Sequence, residues 1–181
     1  MVYVFLADGC EEIEALCPVD VLRRAGFDTK TVGVTGNTVT GSHNIEIKAD
    51  IAISDAAFDN LEGVILPGGM PGTLNLEKDE TVQKFIDFAD KNNLLIGAIC
   101  AAPSILGHKG ILRDKKAVCF PGFEDDLIGA NVLNLPAVAD GNIVTGKGAG
   151  AAFEFSFKVL EVLTGDKQKA QALAKNMEFR G

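Results

Sequence analysis

The sequence of 181 residues predicts an α/β domain whose mainly parallel sheet is covered on both faces. Two observations carry this. Residues 2–7, 61–66 and 94–99 are short apolar runs without the alternation of a half-exposed strand, the pattern of strands buried on both sides. Between them lie segments with helical spacing and helix-end signals, and strands alternating with helices build parallel βαβ units. The length suits a single domain, 1–181, and 47% hydrophobic residues suffice for a sizeable core.

The elements follow in order. Residues 2–7 form a strand ending at Asp8-Gly9. Residues 11–25 form a helix, with acidic Glu11, Glu12 and Glu14 at its start, Arg23 and Arg24 at its end and Gly26 as its stop, all matching the helix dipole. Pro18 removes one helical hydrogen bond and crowds the Glu14 carbonyl, so a kink is expected there. Residues 27–34 form a second strand, and 38–40 with 44–48 a small hairpin around Gly41-Ser42-His43. The strand at 61–66 is stopped by Pro67-Gly68-Gly69-Met70-Pro71-Gly72. Val82, Phe85, Ile86 and Ala89 give the helix at 81–92 a core-facing stripe. The strand at 94–99 runs into a helix at 103–108 with Pro103 in its first turn. Later strands are expected at 116–120 and 143–146, then an apolar helix at 149–163 closed by Gly165, in which Phe153, Phe155 and Phe157 are packing residues. A polar helix at 166–175 is expected on the outside.

A formal charge of −8 disfavours nucleic acid and anionic membranes as partners, because both repel it at long range. No apolar stretch is long enough to span a bilayer, and the start lacks a basic, apolar leader. A cytoplasmic protein with reduced thiols is therefore expected. The four cysteines, Cys10, Cys17, Cys100 and Cys119, show neither CxxC nor metal-ligand spacing, and neither dinucleotide nor P-loop glycine patterns occur. No metal and no cofactor are expected.

Ligands of such sheets bind beyond the carboxyl ends of the strands, so residues 8–12, 67–69 and 100–102 should converge there. Cys100 stands at a strand-to-helix junction, where unpaired backbone N–H groups and a helix dipole favour a thiolate. A buried cysteine acting as a small hydrophobe is the alternative. Gly68 and Gly69 permit close backbone approach and can offer N–H groups to an oxyanion, although a tight turn alone also calls for glycine. Glu11 and Glu12 fit solvated, dipole-compensating carboxylates. Glu14 lies where the helix turns apolar, so a carboxyl there, facing Cys100, should be raised in pKa by burial and by the thiolate.

Ala7-Asp8-Gly9-Cys10-Glu11-Glu12-Ile13-Glu14, Pro18-Val19-Asp20-Val21-Leu22-Arg23-Arg24-Ala25-Gly26, Leu66-Pro67-Gly68-Gly69, Ala98-Ile99-Cys100-Ala101-Ala102-Pro103 and Gly146-Lys147-Gly148-Ala149-Gly150 resemble the signature segments of the DJ-1/ThiJ/PfpI superfamily. The resemblance is to its DJ-1-like branch and spans nearly the whole chain. It implies a flavodoxin-like three-layer α/β/α sandwich, a homodimer, and Cys100 as a reactive, oxidation-prone nucleophile. Glu14 matches the acid that hydrogen-bonds the cysteine sulfur, and Gly69 and Ala101 match the oxyanion amides, beside Gly68. The implied activities are a cofactor-free glyoxalase acting on small reactive carbonyls, a deglycase of glycated proteins, or an oxidative-stress sensor or holdase chaperone. Other branches are intracellular peptidases, and older labels tie ThiJ to thiamine biosynthesis.

Two positions depart from the pattern. The peptidase branch has histidine after the cysteine, where this chain has Ala101, so that Cys-His pair is missing. The animal branch has histidine in the segment matching Cys119-Phe120-Pro121, and Phe120 takes its place. His43 either matches a position from which a dimer partner reaches the site or is a solvated loop histidine, Cys119 is either a resolving thiol or a packed strand cysteine, Phe120 stands with them as a residue expected behind the reacting groups, and His108 lies ~12 Å along the helix from Cys100.

Overall fold

The computed structural model describes residues 1–180. In chain order the elements are β1 (Val2–Leu6), α1 (Glu12–Arg24), β2 (Thr29–Gly33), β3 (Thr38–Thr40), β4 (Glu46–Lys48), β5 (Ile51–Ala52), β6 (Gly63–Leu66), α2 (Gly72–Lys78), α3 (Glu80–Lys91), β7 (Leu95–Ile99), α4 (Pro103–His108), β8 (Lys116–Ala117), β9 (Asn131–Val132), β10 (Ala137–Asp140), β11 (Ile143–Gly146), α5 (Ala152–Thr164) and α6 (Lys167–Asn176). The central sheet has seven strands in the order β10-β11-β7-β6-β1-β2-β5. Every neighbouring pair is parallel except β10 with β11.

Alternate residues of each buried strand feed two cores. Tyr3 and Phe5 of β1, Val64 and Leu66 of β6, and Ile96 and Ala98 of β7 pack with the α3 stripe Val82, Phe85, Ile86 and Ala89. Val2, Val4 and Leu6 face the other way, with Ile65, Ile99 and Val144, against Val19 and Leu22 of α1 and Phe155, Val159 and Leu160 of α5. This is a three-layer α/β/α sandwich of the flavodoxin-like kind, and the continuous apolar runs are its both-sides-buried strands. The order reverses between β1 and β6, which places the topological switch point at the carboxyl ends of β1, β6 and β7.

Several elements differ from the sequence expectation. The Pro-Gly segment expected only to stop a strand leads into α2, and Asp79 then separates α2 from α3 by accepting from the Thr81 and Val82 N–H groups, an N-cap. Residues 116–120 do not join the central sheet. Only Lys116–Ala117 is extended, paired parallel with Asn131–Val132 in a separate two-stranded sheet, while the Val118 N–H donates to Thr145 Oγ1. The sheet edges, β5 and β10, were not foreseen: their residues are half-buried and lack a long apolar run. α1 runs through Pro18 as one helix. α6 is an outer helix but not a free one, since Ala170 is buried and Leu173 packs against the α1/α5 core.

Candidate active site

Three carboxyl-terminal loops converge as the fold class requires. The Glu11 N–H donates to Gly68 O at 3.0 Å, the Cys100 N–H to Gly146 O at 2.9 Å, and the Phe120 N–H to Cys100 O at 2.8 Å. Cys100 is thus pinned through both its backbone polar groups, and its φ of +65° is in the left-handed region that residues other than glycine rarely adopt. Such strain persists only where the surroundings over-determine it. It turns a half-buried side chain out of the strand at the start of α4, the backbone geometry of a strained strand-to-helix elbow.

The glycines are required on steric grounds. A Cβ on Gly68 would stand 2.5 Å from Cys100 Cβ and 2.7 Å from Glu14 Oε2. Gly69 has φ +87°, and a Cβ there would meet the Glu11 nitrogen at 2.4 Å. Together they let β6 deliver two N–H groups where side chains would otherwise crowd: Gly68 N–H donates to Glu14 Oε2 at 2.9 Å, and Gly69 N–H, with that of Ala101, faces the Cys100 sulfur.

Glu14 is buried with 1% of its surface exposed, and its remaining oxygen Oε1 has no partner in hydrogen-bond geometry. The start of α1 is fixed by Glu11, whose Oε2 accepts from the Glu14 N–H at 2.7 Å as an N-cap. Burial raises the Glu14 carboxyl to about 7, with the Glu11 charge adding and the contacts with Cys100 and Gly68 N–H opposing. Burial also pushes the Cys100 thiol up to about 12, reinforced by the Glu14 charge and opposed by the Gly69 and Ala101 amides. The expected helix-dipole lowering of the thiol is therefore outweighed: α4 has only six residues, and desolvation beside a carboxylate dominates. Because Glu14 is itself a cause of the thiol shift, the two share one proton over a wide pH range and titrate as a pair. With Glu14 protonated, the repulsion is gone and the acid becomes a donor to sulfur.

The other residues singled out from the sequence lie apart from this pair. Glu12 is not a solvated carboxylate. It is buried beneath the β3–β4 hairpin, accepting from the His43 N–H at 2.7 Å and contacting His43 Nδ1 at 2.8 Å and Ser42 Oγ at 3.3 Å. Burial alone would raise it, yet the hydrogen bonds from His43 hold it down at about 2. His43 is exposed and engaged by Glu12. His108 is tied at the far end of α4 to Glu77 at 2.6 Å and Asp126 at 3.5 Å. Ligand atoms of Glu11, Glu12 and His43 lie within 4.8 Å of one another, but the Glu12 oxygens are already taken by His43. Cys119 is buried, its thiol pushed up to about 11 by burial and by Glu124 and Asp126, and Cys10 is likewise raised to about 11 by burial.

Phe120 takes the place of a histidine in the resemblance and stands next to Cys100 through the backbone. It forms one wall of an open cleft with Pro121, Lys147, Gly148, Ala149 and Ala151. Gly148, whose role sequence reasoning missed, sits between this cleft and the acid: a Cβ there would be 3.2 Å from the Phe120 ring and 3.9 Å from Glu14 Oε1. The signal was the glycine run after β11, a third glycine-rich loop at the same sheet edge.

The fold recurs in known proteins. A model of the DJ-1/PfpI family matches residues 1–162. The Drosophila melanogaster protein dj-1beta is 35% identical over 177 residues, covering 96% of this chain and 94% of that one. Protein DJ-1 homolog B of Arabidopsis thaliana is 37% identical over 182 residues, 99% of this chain but 41% of the plant protein. Among solved structures, oxidized Toxoplasma gondii DJ-1 superposes with a TM-score of 0.94 at 32% identity, covering 99% of this chain and 98% of that one. Agreement along nearly the whole chain, in sequence and in backbone, settles its kinship: the chain belongs to the DJ-1/PfpI family.

Proposed function

We propose that this DJ-1-like chain acts on reactive carbonyls as a cofactor-free glyoxalase or deglycase, with Cys100 as nucleophile and Glu14 as its proton partner. One observation carries the reading: a buried carboxyl, anchored by Gly68 N–H on one oxygen and free on the other, lies against a thiol that also receives two backbone N–H groups. The Cys100 thiolate adds to the aldehyde carbon of an α-oxoaldehyde. A C–S bond forms, the carbonyl π pair moves to oxygen beside the Gly69 and Ala101 amides, and Glu14 gives that oxygen its proton. Glu14, now a carboxylate, relays protons from the former aldehyde carbon and its oxygen to the adjacent carbon and its oxygen, through an enediol. The first carbon is thereby oxidised to a thioester and the second reduced to an alcohol, with no outside redox partner. Water cleaves the C–S bond and releases a 2-hydroxy acid and the thiol. For a glycated protein, the same addition would begin on the sugar-derived carbonyl.

The test is lactate formation from methylglyoxal. Cys100→Ser and Glu14→Gln should each lower kcat/KM by about 100-fold or more while circular dichroism stays unchanged. Turnover equal to wild type in either folded variant overturns the mechanism.

A second reading has its own observation. Glu14 Oε1 and the Gly69 and Ala101 amides could hold the oxygens of an oxidised Cys100, as a sensor or protective chaperone would require. The Toxoplasma gondii relative was solved in an oxidized form. In both readings a second copy of this chain is the proposed macromolecular partner. Ile13 and Leu16 on α1 and Ile45 on the hairpin are exposed, and they cluster around the helix that carries Glu14.

A further inference from the structure

We propose that the Phe120 cleft is the subsite for the non-reacting end of the substrate, and that it selects α-oxoaldehydes carrying a flat apolar or aromatic substituent over those carrying a methyl group. The inference rests on the glyoxalase reading above and extends it to substrate class. Four features of the cleft support it.

The first is position. Gly148 is shared between the cleft floor and the reacting pair, being in contact range of both the Phe120 ring and the unpartnered Glu14 Oε1. A substrate attached to Cys100 must send its remaining group outward, and the cleft borders the reacting pair through Gly148 and through Phe120, whose N–H is bonded to Cys100 O. The second is rigidity. The Phe120 N–H donates to the carbonyl of the nucleophile itself at 2.8 Å, and Phe120 O accepts from Phe123 N–H at 3.2 Å, so the ring is carried on backbone fixed relative to Cys100.

The third is shape and chemistry. Phe120 shares the cleft with Gly148, Ala149 and Ala151, whose small side chains leave room beside the ring, and the phenylalanine is 48% exposed, so apolar surface is open to a guest. Offset stacking and removal of apolar surface from water both favour a planar guest. The fourth is charge. Lys147 is the one charged group among the described lining residues, and its Nζ donates to Asn134 Oδ1 at 2.5 Å. The rest of the lining is phenylalanine, proline, alanine and glycine, so most of the surface a substituent meets is apolar. An imidazole at 120 would have added a proton carrier; phenylalanine instead adds a binding face.

The test compares phenylglyoxal with methylglyoxal. Wild type should show a kcat/KM ratio of about tenfold in favour of phenylglyoxal, Phe120→Ala should bring the ratio to about one, and Phe120→Tyr should restore it. Mandelate and lactate, the two hydroxy acids formed, give a readout that needs no turnover. By calorimetric titration mandelate should bind about tenfold more tightly than lactate, and Phe120→Ala should erase the difference. A ratio that is the same in wild type and Phe120→Ala, by kinetics and by titration, overturns the subsite. Turnover of neither aldehyde, with mandelate still preferred through Phe120, overturns the glyoxalase reading and leaves the subsite standing. Loss of a dimer in Phe120→Ala, read by sedimentation, would make the cleft an interface between copies and would also overturn the proposal.

Discussion

A cysteine at φ +65° and a carboxyl with one free oxygen are each unfavourable locally, and they are tolerated because their neighbours fix them from several sides. The strain and the missing partner both lie at the same place. Cys10 and Cys119 are buried thiols raised by desolvation, and half-buried Cys17 is raised likewise with only the Ser156 hydroxyl opposing, whereas Cys100 combines partial exposure with two amides facing its sulfur. Mild peroxide should therefore add about 32 Da to Cys100 before the other three, as the two oxygens of a sulfinate. Comparable oxidation of all four cysteines, by peptide mass mapping, contradicts the oxidation reading. Glu14 and Cys100 were legible because an acid at a polar-to-apolar boundary and a thiol at a strand end are unusual placements. The thiol's upward shift was not legible, since it depends on how deeply the sulfur is covered and on the carboxylate charge beside it.

Among the elements, α1 and the β3–β4 hairpin are held together by Glu12 and His43, a contact that spacing along the chain could not reveal because it joins residues 31 positions apart. Its pH dependence has two edges. Glu12, lowered from 4.5 to about 2, contributes stability that is present above 4.5 and lost as pH falls through 2. His43, raised from 6.5 by Glu12, contributes stability that is present below 6.5 and lost as pH rises through its folded value. The clasp is complete between 4.5 and 6.5. Glu12→Gln should lower the urea midpoint most in that window and less on either side, measured by urea denaturation at several pH values. A cost independent of pH would show that the pair is not coupled. The central strands, whose apolar runs are covered on both faces, were readable from sequence, whereas α2, β5 and β10 are short and half-buried and take their shape from tertiary contacts.

For the molecule as a whole, strand order decides where chemistry can occur. The reversal between β1 and β6 brings residues 11–14, 68–69 and 100–101 to one edge, and residues 146–148 join them from β11. No helix among the described residues is long and apolar enough to cross a membrane. The exposed Ile13, Leu16 and Ile45 predict a homodimer by sedimentation equilibrium, and Leu16→Arg should weaken it by at least about tenfold in Kd. A wild-type monomer at all accessible concentrations would remove the second copy from the account. That α1 turns apolar after Glu14 was visible in the sequence; that Ile13 and Leu16 stay uncovered required knowing which side the sheet and α5 occupy.

The central claim is that Cys100 and Glu14 act as one acid–base pair, and the most direct measurement is the pH dependence of Cys100 alkylation by iodoacetamide in wild type and Glu14→Gln. Labelling is followed on the Cys100 peptide. Loss of the first shared proton should give a wild-type rate that rises to a plateau through about 7, and Glu14→Gln should lack that step. Superimposable profiles, rising together without a step near 7, would contradict the pairing.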